Sequence, residues 1–146
     1  MLDWLFQKPL PVGTPAPEFS VPDHDGSRVT LSSFRGRNVI LVFYPADNTS
    51  VCTAQLCEFR DCWEAVLRRN AVVFGVNPQR RHSEFRARHK FPFPLLYDQQ
   101  QNVGKSYQAA GKFWPKRTVY LIGPDGVIRY AKRGKPSPEE VLAACA

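Results

Sequence analysis

Four cysteines stand in the 146-residue chain, and three of them, Cys52, Cys57 and Cys62, fall within eleven residues. Four thiols are few for a disulfide-stapled secreted domain of this length, so the crowding points to chemistry more than to scaffolding. Cys52 follows an apolar run, Val39-Ile40-Leu41-Val42-Phe43-Tyr44, the stop signal Pro45, and two capping candidates, Thr49 and Ser50. With Thr49 as the cap, Cys52 is the third residue of a helix. Backbone N–H groups with no partner inside the helix, together with the helix dipole, favour negative charge there. Such surroundings favour a thiolate, the reactive form, and make Cys52 the candidate nucleophile. An inert cysteine buried at a helix start is the competing reading.

Five positions along an unbroken helix rotate a side chain by about 140° and carry it about 7.5 Å along the axis. A disulfide needs Cα atoms within about 7 Å and facing Cβ vectors. Cys52 and Cys57 can therefore bond only if the first helical turns unwind, and the reduced form is expected to be the better ordered. Cys62, near Trp63 and Val66, reads as a core thiol, with a backup resolving or sensing role as the alternative. Cys145, near the chain end, is expected to be exposed. The x4 cysteine spacings fit zinc knuckles poorly, and His24, His82 and His89 are remote in sequence, so neither a metal nor another cofactor is expected.

A sulfur attacking a peroxide leaves charge growing on the departing oxygen, and a guanidinium holds such charge through several fixed donors. Arg117 directly precedes the apolar run at residues 118–122, and neighbouring strand ends of an α/β sheet open on one edge. Arg60, eight residues after Cys52, is a second candidate from the same helix.

The elements that must position these groups are legible from hydrophobic patterning. Five prolines between Pro9 and Pro22 exclude a helix there. Alternation at Phe19 and Val21, the turn signal Asp23-His24-Asp25-Gly26, and renewed apolar positions at Val29, Leu31 and Phe34 predict an N-terminal hairpin covering one edge of the domain. Residues 39–44 and 71–76 lack the alternation of half-wet strands and predict strands buried on both faces. A helix from residue 49 or 50 to about 69 is expected between them, and a basic helix opened by Pro78 and reaching about Lys90 follows. Strand, helix, strand, helix implies a parallel pair with helical crossovers. A short run at 95–97, a short helix over 102–109, a hairpin of 118–122 with 127–130, and a helix opened by Ser137-Pro138 complete the reading.

The chain has the length of one domain, 1–146, with an apolar share of 43% that can supply a full core. No apolar run approaches the roughly 20 residues that span a bilayer, and the opening residues lack a leader pattern, so a soluble, cytoplasmic protein is expected. Twenty basic residues against thirteen acidic give a net charge of +7. Arg80, Arg81, Arg86, Arg88 and Lys90, around His82 and His89, would hold phosphates or form a solvated face, with no nucleic-acid motif beside them.

Pro45, Thr49 and Cys52 match P-x-x-x-T/S-x-x-C, and the chain resembles the peroxiredoxins. Cys57 makes it similar to the bacterioferritin-comigratory-protein or PrxQ subfamily. Phe59-Arg60-Asp61, His82-Ser83-Glu84-Phe85, Phe93-Pro94-Leu95-Leu96-Tyr97-Asp98 and Gly123-Pro124-Asp125-Gly126 extend the resemblance over about residues 12 to 144. It implies a thioredoxin-like α/β fold with a central mixed sheet, flanking helices and an N-terminal β-hairpin. It further implies Cys52 as peroxidatic and Cys57 as resolving cysteine. Pro45 would shield the sulfenic acid, Thr49 would hydrogen-bond the thiolate and peroxide, and Arg117 would hold the substrate oxygen. Backbone N–H groups of Val51 and Cys52 would add donors. The implied substrates are hydrogen peroxide and organic hydroperoxides, and the implied reductant is thioredoxin or a similar dithiol. A monomer is expected, because an internal resolving cysteine needs no second subunit. Two departures stand out: Val51 replaces a usual glycine, and Asn77-Pro78 replaces a serine-containing segment. Phe43, Phe113 and Trp114 are read as an apolar rim for organic hydroperoxides, or else as core. A regulatory peroxide-sensing thiol switch is the main alternative function. A disulfide reductase is a weaker one, since that chemistry normally uses C-x-x-C.

Overall fold

Strand β3 (Asn38–Phe43) organises the molecule because both of its faces are covered. Ile40 and Val42 point into one apolar cluster, Val39, Leu41 and Phe43 into another, as the two-residue period of a strand requires. The continuous apolar run is thus a strand with no wet side. The computed structural model describes residues 7–80 and 82–146; the opening six residues, read above for a leader, and Arg81 of the basic cluster lie outside them.

Strands β1 (Ser20–Pro22) and β2 (Arg28–Thr30) form the antiparallel N-terminal hairpin. A bridge from Asp23 to Leu96 sets it against the sheet edge. After β3 come helix α1 (Ser50–Asp61), helix α2 (Trp63–Arg68), strand β4 (Ala71–Asn77), helix α3 (Ser83–His89) and strand β5 (Leu95–Tyr97). Helix α4 (Asn102–Ser106), strands β6 (Thr118–Ile122) and β7 (Ile128–Arg133), and helix α5 (Pro138–Leu142) complete the chain. The main sheet has the order β5-β4-β3-β6-β7. β3 runs parallel to β4, and β4 to β5, while β6 is antiparallel to both β3 and β7. This mixed sheet, with helices on its faces and the hairpin at its β5 edge, is a thioredoxin-like fold.

Three helices differ from their expected lengths, each for a local reason. The helix expected to reach about residue 69 breaks at Cys62, whose backbone (φ −111°, ψ 28°) leaves the helical region. After the break Trp63 packs against Phe93 with the rings tilted, and Val66 enters the core. The basic helix starts at Ser83 rather than Pro78, because the Asn77 side chain accepts from the Gln79 amide and holds the intervening chain as a turn. Helix α4 stops at Ser106, before Gln108, whose φ of 56° is left-handed. The last helix starts as expected, with the Ser137 hydroxyl accepting from the Glu140 amide and Pro138 in the first turn.

Candidate active site

The antiparallel pairing of β3 with β6 puts Phe43 opposite Thr118, so the loop that leaves β3 runs beside the residue that enters β6. That register brings together two positions 65 residues apart. Thr49 is the cap residue of α1, with extended backbone angles, and Cys52 is the third helical residue. Cys52 points inward and is fully buried. The Arg117 guanidinium reaches it from β6: Nη2 donates to Cys52 Sγ at 3.1 Å, and Nη1 donates to Gln55 Oε1 at 2.8 Å. A fork bonded at both prongs is a fixed one, and it sets a positive charge against the sulfur.

Gln55 is the residue that sequence reasoning missed. It lies one turn beyond Cys52, buried on the same helix face, with its amide nitrogen toward the Gly134 carbonyl at 3.5 Å. The i, i+3 spacing from the thiol was the available signal.

Thr49 is exposed, and its hydroxyl donates to the Ala46 carbonyl at 3.1 Å without capping the helix amides. The Val51 and Cys52 N–H groups, in the first turn, are thus left untaken by the capping side chain. A substrate oxygen at the helix start would meet these donors, the Thr49 hydroxyl and the guanidinium. Pro45, half-buried, begins the loop at the end of β3.

Cys57 lies half-buried in the same unbroken helix, and all four cysteines are free thiols. Burial pushes the Cys57 thiol up, and Asp61 adds to this against the opposing pull of Arg60. Arg60 does not turn toward Cys52; it pairs with Asp61 and donates to the His89 carbonyl. Cys62 is half-buried at the helix break with its thiol toward the Phe59 carbonyl, and burial raises it. Cys145 is also half-buried, contrary to the exposed thiol expected, because the chain end packs against the core.

The proposed aromatic rim needs one correction. Phe43 is completely buried on the opposite side of the sheet from Cys52, packed on Tyr107 and Tyr120. Phe113 and Trp114 are 72% and 61% exposed, in the loop that leads to Arg117, and Val51 beside the thiol is 53% exposed. The basic cluster is largely engaged at home. Arg80 bonds the Tyr97 hydroxyl, Arg86 the Phe93 carbonyl, and Arg88 both Glu84 and Asn48.

Residues 12–131 match the model of the AhpC/TSA family. The chain belongs to that family. Among curated relatives, the chloroplastic peroxiredoxin Q of Oryza sativa subsp. japonica is 38% identical over 133 residues, covering 88% of this chain and 61% of the relative. This chain therefore spans only about three fifths of that plant protein. The putative peroxiredoxin bcp of Coxiella burnetii is 35% identical over 129 residues, covering 82% of this chain and 85% of the relative. Among solved structures, peroxidoxin BcpB from Mycobacterium tuberculosis superposes with a TM-score of 0.84 at 29% identity, over 91% of this chain and 94% of that one. A cysteine-to-serine mutant of Xylella fastidiosa PrxQ gives 0.86 at 26% identity, over 94% and 96%. Among the described residues of this chain, no helix is long and apolar enough to cross a membrane.

Proposed function

We propose that the chain is a thiol peroxidase that reduces hydrogen peroxide and organic hydroperoxides through Cys52, resolves through Cys57, and is recycled by thioredoxin or a similar dithiol. The observation that carries this reading is the Arg117 guanidinium on the Cys52 sulfur at 3.1 Å, at the start of a helix. In the first step the Cys52 thiolate attacks the nearer peroxide oxygen. The O–O bond breaks, the departing oxygen takes a proton and leaves as water or an alcohol, and Cys52 becomes a sulfenic acid. Arg117 and the amides of Val51 and Cys52 hold the peroxide oxygens as charge grows. Thr49 orients the peroxide through its hydroxyl, and Pro45 keeps bulk water from the sulfenic acid.

In the second step the first turns of α1 unwind and the Cys57 sulfur attacks the sulfenic sulfur. A disulfide forms and water leaves. In the third, an external dithiol reduces that disulfide by exchange and is itself oxidised. Resolution inside one chain requires no partner subunit, which supports a monomer as the working unit, and a dithiol of this class suits a cytoplasmic setting. Phe113 and Trp114 give the approach to Arg117 an apolar character that suits organic hydroperoxides.

The test is oxidation of the reduced protein by one equivalent of hydrogen peroxide, followed by mass spectrometry of Cys52 and Cys57 and by turnover with a thioredoxin system. The reading predicts a Cys52–Cys57 disulfide and sustained peroxide consumption. Stoichiometric oxidation of Cys52 that no dithiol reverses would mark a peroxide-sensing switch instead.

A further inference from the structure

Among the described residues a second polar cluster, next to the core that holds Cys52, shares no hydrogen bond with Cys52 or Arg117. Asp47, in the loop between β3 and α1, has its carboxylate almost fully buried. Its Oδ2 meets His82 Nδ1 at 2.8 Å, and His82 is completely inaccessible. Its Oδ1 accepts from the Tyr44 hydroxyl at 2.6 Å and from the Asn77 amide at 3.3 Å. The Asp47 backbone N–H donates to Gln79 Oε1 at 2.6 Å. A carboxylate only accepts, so the proton of the ring bond sits on Nδ1.

This arrangement ties the loop to three elements. Tyr44 immediately follows β3, Asn77 ends β4, and His82 immediately precedes α3. Tyr44 lies over Gly75, where a Cβ would come within 3.0 Å of the Tyr44 ring and 2.7 Å of Leu95. The next loop residues, Asn48 and Thr49, are exposed, and Asn48 adopts a left-handed φ of 63°. A buried polar pair adds little stability that an apolar pair would not, because desolvation offsets its attraction. What it adds is one defined geometry, imposed on the loop two residues before the helix cap Thr49 and five before Cys52.

We propose that the Asp47–His82 pair is a latch: joined, it keeps the first turn of α1 wound and Cys52 under Arg117; parted, it releases residues 48–53 toward Cys57. Both are positioning residues that act through the loop. The direction of resolution rests on the thiol-peroxidase reading, whereas the latch itself is a property of the reduced protein and can be measured without peroxide.

Hydrogen exchange on reduced His82→Leu, His82→Asn and Asp47→Asn tests it. The latch predicts that within 47–53 the hydrogen-bonded amides, Asp47 and Thr53, exchange about 10- to 100-fold faster in His82→Leu and Asp47→Asn, as expected for losing a bond to a carboxylate. Amides of β3 and β4 should hold their protection. His82→Asn keeps a donor at the place of Nδ1 and should return residues 47–53 toward wild-type protection. Unchanged exchange at 47–53, or equal acceleration throughout the sheet, would overturn the latch. Should His82→Leu not fold, Asp47→Asn alone decides it. After one equivalent of peroxide, the released variants should oxidise Cys52 more slowly yet close the disulfide faster. Failure of wild-type Cys52 to react at all would count against the peroxidase reading, leaving the exchange result to judge the latch.

Discussion

Arg117 carries the largest expected effect of any single side chain besides the thiols. Replacing it with Ala removes fixed donors from the place where charge develops, and should lower the second-order rate with peroxide by about 10²- to 10³-fold. The fold should persist, since the guanidinium bonds only Cys52 and Gln55 among its described side-chain partners. Arg117→Lys should recover only part of the rate, because an ammonium is a point charge without the fork. Gln55→Leu should give an intermediate loss by freeing one prong. Stopped-flow oxidation beside a thermal melt reads all three; a folded Arg117→Ala with wild-type kinetics would remove that residue from the site. Cys52, Thr49 and Arg117 were legible as types at spacings, because cap and strand signals are local. Gln55 was not, since its value depends on a guanidinium arriving from 62 residues away.

The reactive element of the proposed cycle is the start of α1, which resolution through Cys57 would require to unwind. The oxidised protein should therefore lose amide protection over about residues 50–57 relative to the reduced one, visible by hydrogen exchange; an oxidised form equally protected there would rule out a Cys52–Cys57 disulfide. The pH dependence follows from Cys57. Burial holds its thiol above the usual range, so near neutral pH it is almost wholly protonated while the helix is wound. Attack needs the thiolate, so the rate of disulfide formation should rise with pH, by about tenfold per unit below that raised value. A flat profile between pH 6 and 8.5 would indicate that unwinding alone is limiting. The helix break at Cys62 was not legible, for a tertiary reason: Trp63 turns to Phe93, a partner thirty residues on. The late start of α3 likewise depends on side-chain bonds at Asn77 and Gln79, which propensity does not register.

At the scale of the whole molecule, the buried strands were readable because β3 and β4 are apolar on both faces. Which face each aromatic serves was not, and Phe43 went to the side away from the thiol. That opposite face is closed by Tyr120, whose hydroxyl donates to the Tyr107 carbonyl and accepts from the Leu10 amide. Tyr120→Phe should cost about 1–3 kcal/mol in urea unfolding, since it strands a buried carbonyl and a half-buried amide, yet leave peroxide kinetics unchanged. A loss of rate at full stability would contradict the separation of the two faces. The account as a whole rests on Cys52 as the peroxide-reducing sulfur. The most direct measurement is steady-state peroxide consumption by the pure protein with a thioredoxin regeneration system, run beside Cys52→Ser and Cys57→Ser. The account predicts turnover in the wild type, none in Cys52→Ser, and a single stalled oxidation in Cys57→Ser; full turnover in Cys52→Ser would contradict it.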